Sequence, residues 1–223
     1  MDKVINEYGK LLNGIDISEK HHRGFVGGMW EEMGRLQIQF MLENGLNPKS
    51  KLLDIGCGAL RGGIYFIRYL NKGNYFGLDI NSSMIEAAKY ELQHEGLNDK
   101  NSTLLVNDKF EFSLFESEFD FILAQSVFTH LPLNHILRCL IEVKKVLKKD
   151  GVFYVTFFKA KLNNFLDSIE HPLGKVITNF DSNPYHYPFE FIEGISEKAG
   201  LNAEYIGNWN HPRNQKMIKI THQ

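Results

Sequence analysis

Two carboxylates and a cluster of glycines are the residues of this chain best suited to chemistry. Asp54 lies in Leu52-Leu53-Asp54-Ile55-Gly56-Cys57-Gly58-Ala59-Leu60-Arg61-Gly62-Gly63, and Asp79 closes the apolar run Tyr75-Phe76-Gly77-Leu78-Asp79, 21 residues beyond Gly58. Glycine has no Cβ, so the turn at Gly56 and Gly58 lets backbone approach a ligand closely. The helix pattern behind it, 64–70, offers unpaired N–H groups to a negative or polar group. An acid at the end of the next strand stands where a carboxylate grips ribose hydroxyls. Together these features predict a nucleoside-bearing cofactor at the carboxyl edge of an open sheet. Arg61 occupies the third glycine position of the dinucleotide fingerprint, and Asp54 would repel a pyrophosphate. Both disfavour a nicotinamide oxidoreductase. A ligand with an amino group and a sulfonium suits Asp54 better.

The elements that must hold these residues alternate. Strands are expected at 52–56, 75–79, 103–107, 119–124 and 151–158, with helices from 62, over 83–94 and over 133–148. Such alternation implies parallel strands with right-handed crossovers and helices on both faces. In the last of these helices Ile136, Leu140, Val143 and Leu147 form the buried stripe, and lysines crowd its final turn, where they complement the dipole. Before the sheet, Met29, Met33, Leu36 and Phe40 trace one apolar helical stripe. After it, 159–187 breaks the pattern and reads as an inserted loop with a short helix. A helix over 189–199 and strands 201–207 and 216–221 follow, the strands joined as a hairpin by 208–215. The expected fold class is therefore α/β: a doubly wound, mostly parallel seven-stranded sheet with a C-terminal antiparallel hairpin and an N-terminal helical cap. One domain spans 1–223, divided into the cap (1–50), a cofactor-binding core (51–158), the inserted substrate-side loop (159–187) and the terminal helix and hairpin (188–223).

The acid-x-Gly-x-Gly segment and its ordered successors resemble the class I S-adenosylmethionine-dependent methyltransferases, over most of the chain from Lys51 to Lys219. The resemblance implies S-adenosylmethionine as cofactor. Asp54, Gly56 and Gly58 would hold its methionine part, with Trp30 from the cap closing over it. For Arg61, pairing with the cofactor carboxylate and capping of the helix region both stand. Asp79, followed by Ile80, would take the ribose hydroxyls while Ser82 caps the next helix. Asn107-Asp108-Lys109 resembles the family's acidic motif at the adenine edge. Gln125 and Ser126 open its motif IV, which runs Gln125-Ser126-Val127-Phe128-Thr129-His130-Leu131.

Departures from subclass patterns narrow the chemistry. The chain has no Asn/Asp-Pro-Pro-aromatic sequence and no Pro-Cys nucleophile after the fourth strand, against base-amino and cytosine-5 methylation. Gln125 replaces the metal-binding acid of catechol-type enzymes, so no metal is expected. The adjacent pair His21 and His22 has poor chelate geometry and reads as surface or substrate-facing. His211 is favoured as a general base for a hydroxyl acceptor, with His130 the alternative. Tyr185, Trp209 and Arg213 are expected to contact the acceptor.

Composition sets the outer bounds. A net charge of −2 gives no global pull toward nucleic acid, and no apolar run approaches a membrane span. The only cysteines, Cys57 and Cys139, suggest a reducing, cytoplasmic setting. O-methylation of a small polar acceptor, hydroxylated or anionic and including sugar-related compounds, is the favoured reading. The alternatives are an N-methyltransferase and a non-catalytic sensor or scaffold that binds S-adenosylmethionine. Oligomeric state is not legible.

Overall fold

In the computed structural model, residues 10–173 and 175–223 are described, and the chain divides into two compact units, Met1–Lys109 and Phe110–Gln223. The first nine residues of the expected cap lie outside the described residues. The fold is mixed α/β with a mostly parallel sheet, helices and a C-terminal antiparallel strand pair.

Among the described residues of the first unit, α1 (Gly14–Ser18), α2 (His21–Phe25) and α3 (Trp30–Glu43) come first. Then follow β1 (Leu52–Ile55), α4 (Gly63–Tyr69), β2 (Tyr75–Asp79), α5 (Ser82–His94) and β3 (Thr103–Val106). β2 pairs in parallel with β1 on one side and β3 on the other. All four residues of β1 are buried, which is why Asp54 stands out as a carboxylate in an apolar layer. The cap of α5 is Asn81 rather than Ser82: its side-chain oxygen accepts from the Ser83 N–H at 2.9 Å and the Ser83 hydroxyl at 2.7 Å. Asparagine satisfies a helix's first orphan donors as well as serine does.

Two expectations for the cap change. The buried residues of α3 are Met33, Gly34, Gln37 and Met41, whereas Leu36 and Phe40 are only half-buried and Met29 is the residue before the helix. Close packing on α4 decides this. A Cβ on Gly34 would lie 2.3 Å from the Tyr65 ring, and one on Gly62 would lie 2.4 Å from Gln37 Oε1. The face that approaches most closely is therefore the one with small and amide side chains, which a search for large apolar residues passes over. His21 and His22 also part company. His21 is exposed, but His22 is fully buried, with Nε2 2.7 Å from Glu91 Oε1 on α5. Arg23 Nε and Nη2 donate to the two oxygens of the same carboxylate, both at 2.8 Å. Burial opposes ionisation of Glu91, yet the bonds from His22 and Arg23 outweigh it and bring its carboxyl down to about 2. α2 is thereby bolted to α5.

The second unit contains β4 (Phe119–Ala124), a 3-10 turn (Phe128–His130), α6 (Leu133–Val146), β5 (Leu147–Lys159), β6 (Ile169–His171), β7 (Val176–Thr178) and β8 (His186–Tyr187). It ends with α7 (Phe189–Lys198), β9 (Leu201–Asn208) and β10 (Lys216–His222). β4 and β5 are parallel, and β10 is antiparallel to both β5 and β9. β9 consequently runs in the same direction as β4 and β5, and the turn after it emerges at their carboxyl edge. α6 stops two residues short of the expected end because Leu147 is in register with Phe119 in the strand ladder. Its buried stripe is as expected, with Cys139 and Val146 added.

Among its described residues the insertion holds no helix. β6 and β7 form a hairpin, and β8 adds to the end of β5. A buried relay of side chains explains the choice. His186 Nε2 lies 2.8 Å from the Phe165 carbonyl, which can only accept, so this nitrogen carries the proton. Nδ1 of His186 lies 2.7 Å from Thr178 Oγ1, which also lies 2.9 Å from His171 Nε2 and donates to the Ile169 carbonyl at 3.4 Å. The three side chains are buried and hydrogen-bonded to one another across the hairpin and β8. Burial, and then the neighbouring His186 and Lys216, push His171 down from 6.5 to about 4. Its contribution to stability is present above 6.5, where folded and unfolded forms are both neutral, and is lost as pH falls toward about 4. We expect the thermal midpoint of the wild type to lose ground to that of His171→Gln over this window, the glutamine keeping a donor for Thr178. A constant difference between the two proteins in calorimetry would remove His171 as the responsible group.

Candidate functional site

Backbone geometry builds the first half of the site. Gly56 and Gly58 have φ of 71° and 52°, the left-handed region that glycine enters without a Cβ penalty. Gly58 donates its N–H to Asp79 Oδ2 at 3.0 Å, and Asn81 donates to Asp79 Oδ1 at 2.9 Å. Backbone donors thus hold both oxygens of the Asp79 carboxylate at the end of β2. A carboxylate oxygen has further lone pairs, so both can still accept from a diol. Burial raises the Asp79 pKa, opposed by the bonds from Asn81, Gly58 and Ile80. Beside it, Ile80 is 51% exposed, as is Val106, the register partner of Asp79 on β3. Such open apolar side chains at strand ends suit the face of a planar ring. Asn107 continues from β3 with its N–H on the Asp79 carbonyl at 3.0 Å, and its side-chain oxygen takes the Lys109 N–H at 3.0 Å. Asp108 and Lys109 themselves are exposed.

Asp54 is buried beneath this turn, and the Tyr75 hydroxyl donates to its Oδ2 at 2.7 Å. Burial pushes its pKa up to about 7; the Tyr75 bond works against that shift and the nearby Asp79 charge adds to it. A buried carboxylate of this kind is relieved by a cation. A folded pKa above the unfolded 3.8 means that stability declines as pH rises from about 4 toward about 7. Asp54→Asn keeps an acceptor for Tyr75 and removes the charge. It should be more stable than the wild type at pH 8 without cofactor, by up to a few kcal/mol, since each tenfold change in proton affinity corresponds to about 1.4 kcal/mol. It should also bind the cofactor more weakly. Equal unfolding midpoints at pH 8 would show that Asp54 is not a strained carboxylate.

Arg61 lies on the cap side of the turn. Its Nη1 donates to the carbonyls of Val26 at 2.8 Å and Gly28 at 3.0 Å, so it tethers the segment before α3. Trp30 is half-buried, with the Arg23 guanidinium 4.6 Å from its ring centre. It packs against a cluster of Ile17, Ala59, Met84 and Ala87, Ala59 being the neighbour of Gly58. Cys57 is buried against Gly77, where a Cβ would lie 2.9 Å from its sulfur, and burial raises its thiol far above the usual range.

In the second unit the carboxyl ends of β4, β5 and β9 converge on a polar cluster. Ser126, directly after Gln125, adopts φ of 59°, a conformation that costs a non-glycine residue about 1–3 kcal/mol. Its N–H donates to Thr156 Oγ1 at 2.7 Å, and both hydroxyls reach Gln215 Oε1, from Thr156 at 2.7 Å and from Ser126 at 3.0 Å. Gln125 Nε2 lies 2.6 Å from Ser126 Oγ and 3.2 Å from His211 Nε2. His211 is buried, and its Nδ1 accepts the backbone N–H of Arg213 at 3.1 Å. A backbone N–H can only donate. In its neutral form the ring therefore carries its proton on Nε2, while the Gln125 amide nitrogen donates to Ser126 Oγ. His211 in this state is a donor. The expectation of His211 as base meets a physical obstacle here, since its one lone pair is already engaged.

His130 shows the opposite polarity. It is half-buried at the end of the 3-10 turn, with Nδ1 against Asn183 Oδ1. A donor at Nδ1 leaves the lone pair on Nε2. Trp209 is 5% exposed, and its indole N–H donates to the Gln215 carbonyl at 3.1 Å, which closes the hairpin turn. Tyr185 is half-buried, stacked on Tyr187 at 6.0 Å, and Arg213 is half-buried in the turn after β9. Sequence reasoning missed Tyr75, Thr156, Asn183 and Gln215. Only Thr156, a polar residue within an apolar strand run, left a signal that could have been read. Among the described residues no group of three His, Cys, Asp or Glu is placed to hold a metal, and no helix is long and apolar enough to cross a membrane.

Known proteins share this architecture. A structure described as an S-adenosylmethionine-dependent methyltransferase from Clostridium acetobutylicum ATCC 824 superposes with a TM-score of 0.68 at 14% identity, covering 94% of this chain and 99% of its own. Magnesium protoporphyrin IX methyltransferase from Synechocystis PCC 6803 with bound SAH gives 0.63 at 13% identity, covering 99% and 92%. The glycopeptide N-methyltransferase MtfA in complex with S-adenosyl-L-methionine gives 0.64 at 11%, covering 85% and 94%. At such identities the likeness is one of fold. The family profile described as "Methyltransferase domain" matches residues 46–191, well over half of the chain. With its glycine turn, its strand-end acid and this match, the chain belongs to the methyltransferase domain family and has the fold of the class I S-adenosylmethionine-dependent methyltransferases.

Proposed function

We propose that this protein O-methylates a small polar acceptor, hydroxylated or anionic, using S-adenosylmethionine. When bound, the cofactor supplies a methyl carbon on a positively charged sulfur, open to attack by oxygen or nitrogen. The residues of the first unit fit that molecule. Asp79, held by Gly58 and Asn81, offers two oxygens to a ribose diol. Ile80 and Val106 offer apolar surface to a base, and Asn107, Asp108 and Lys109 follow at the same strand end. Asp54, buried and raised to about 7, offers a counter-charge to a cationic ligand.

The observation that carries O-methylation is the polarity of His130. Its Nε2 lone pair can take a hydroxyl proton, while His211 Nε2–H and Arg213 can orient an acceptor oxygen. The order of roles favoured from the sequence is thereby exchanged, with His130 as proton acceptor and His211 as donor. Tyr185, stacked on Tyr187 in the insertion, would contribute to the acceptor's surroundings.

The test is turnover of S-adenosylmethionine to its homocysteine product across hydroxylated, acidic and amine metabolites, with the methylated atom read by mass spectrometry and NMR. Oxygen methylation is expected, undiminished by EDTA, since Gln125 stands where a metal-binding acid would be. Exclusive nitrogen methylation would favour an N-methyltransferase. Tight cofactor binding without turnover on any compound would favour the sensor or scaffold.

A further inference from the structure

The insertion between β5 and α7 returns to one place, the 3-10 turn that carries His130. Tyr185 donates its backbone N–H to the Thr129 carbonyl at 2.7 Å, and the Tyr187 hydroxyl donates to the Leu131 carbonyl at 2.9 Å. These two bonds grip the residues on either side of His130, and Asn183 meets the ring between them. The segment bearing Asn183 is braced in turn. Asn179 donates to the Pro184 carbonyl at 2.9 Å and accepts from His186 N–H at 3.1 Å, while Ser168 Oγ donates to Asn179 Oδ1 at 2.7 Å. Beneath it, the Thr178 and His186 side chains are buried and joined at 2.7 Å. The turn is fixed from its other side as well, where Thr129 Oγ1 donates to the Ser126 carbonyl at 2.9 Å. Neither partner in the His130–Asn183 contact is therefore loose enough to have met by chance.

We propose that Asn183 is a positioning residue: its side-chain oxygen accepts from His130 Nδ1 and selects the ring tautomer whose lone pair lies on Nε2. A free histidine prefers the other neutral form, with the proton on Nε2, which could not take a proton from an acceptor at that atom. One accepted hydrogen bond in a half-buried setting suffices to invert the preference. The insertion then has a chemical purpose beyond covering the turn, because it delivers the group that makes His130 a proton acceptor. His211 is held in the opposite state by the Arg213 N–H. The two neutral imidazoles thus present unlike Nε2 atoms, one carrying a lone pair and the other a proton.

This inference rests on the proposed O-methyl transfer for its consequence, but the tautomer is measurable without an acceptor. Full-length protein labelled with ¹⁵N-histidine is studied by long-range ¹H–¹⁵N correlation at pH 8, with the His130 ring assigned from its loss in His130→Gln. The wild type should show His130 protonated on Nδ1 and His211 protonated on Nε2. In Asn183→Leu the ratio of the two neutral forms of His130 should shift by about tenfold toward the Nε2–H form, and Asn183→Asp, which keeps an acceptor, should restore the wild-type pattern. With an acceptor in hand, Asn183→Leu should lower kcat with KM little changed, and Asn183→Asp should recover it. A wild-type His130 ring protonated on Nε2 would overturn the inference, as would an unchanged pattern in Asn183→Leu. Failure to find any methyl acceptor would count against the proposed function alone, since the ring spectra stand apart from turnover.

Discussion

Asp79→Ala should bind S-adenosylmethionine at least tenfold more weakly, with its unfolding transition still cooperative. The Asp79 carboxylate is pinned on both oxygens by backbone N–H groups, those of Gly58 and Asn81 among them, so it meets a ribose diol without first being ordered. Each charge-assisted bond to a hydroxyl is worth roughly 1.5–3 kcal/mol, and loss of even one gives about a tenfold change or more. Removing the side chain also leaves the Gly58 N–H without its acceptor, which loosens the turn that a ligand must approach. Titration calorimetry with the cofactor and with its homocysteine product measures the effect. An affinity unchanged from the wild type would take Asp79 out of the site.

His130→Ala should slow methyl transfer by about 10²–10⁴-fold, the usual contribution of a general base, with cofactor affinity nearly unchanged. The companion variant His211→Ala should act differently. Because His211 Nδ1 is occupied by the Arg213 N–H, its loss removes a donor and disturbs the Gln125–Ser126 network, raising KM for the acceptor more than it lowers the rate. Single-turnover rates of both variants on the identified acceptor decide between them. If only His211→Ala slows the chemical step, the order favoured from the sequence is restored. If neither does, alignment of the reactants carries the reaction.

Much of this protein was legible as a string of residues, and the legible part has a common character. The strand and helix alternation rests on local periodicity, so β2 and β4 occur at the expected residues and the other core elements within a few positions. The glycine turn after β1 and the acid that closes β2 were legible because glycine at a strand end and an acid at the next strand end are each local features. The direction of β9, and with it the placing of His211 at the carboxyl edge, also followed from counting strands.

The misread parts share a different character, since each depends on a partner distant in sequence. Large apolar spacing pointed to Leu36 and Phe40, but α3 packs through Gly34 and Gln37 because α4 comes within 2.3 Å of where a Cβ would be. His22 read as a surface residue until Glu91, 69 positions away, proved to be its partner. A helix was expected in the insertion, where the His171–Thr178–His186 relay, built from residues with no local pattern, holds a hairpin. Composition and spacing alone determined the fold class, the glycine turn and the two acids. Which nitrogen of each histidine bears the proton was decided only by tertiary structure, because a tautomer is set by the single atom opposite the ring. For His130 that atom belongs to a residue 53 positions along the chain, and for His211 it is a backbone N–H that a turn happens to aim inward.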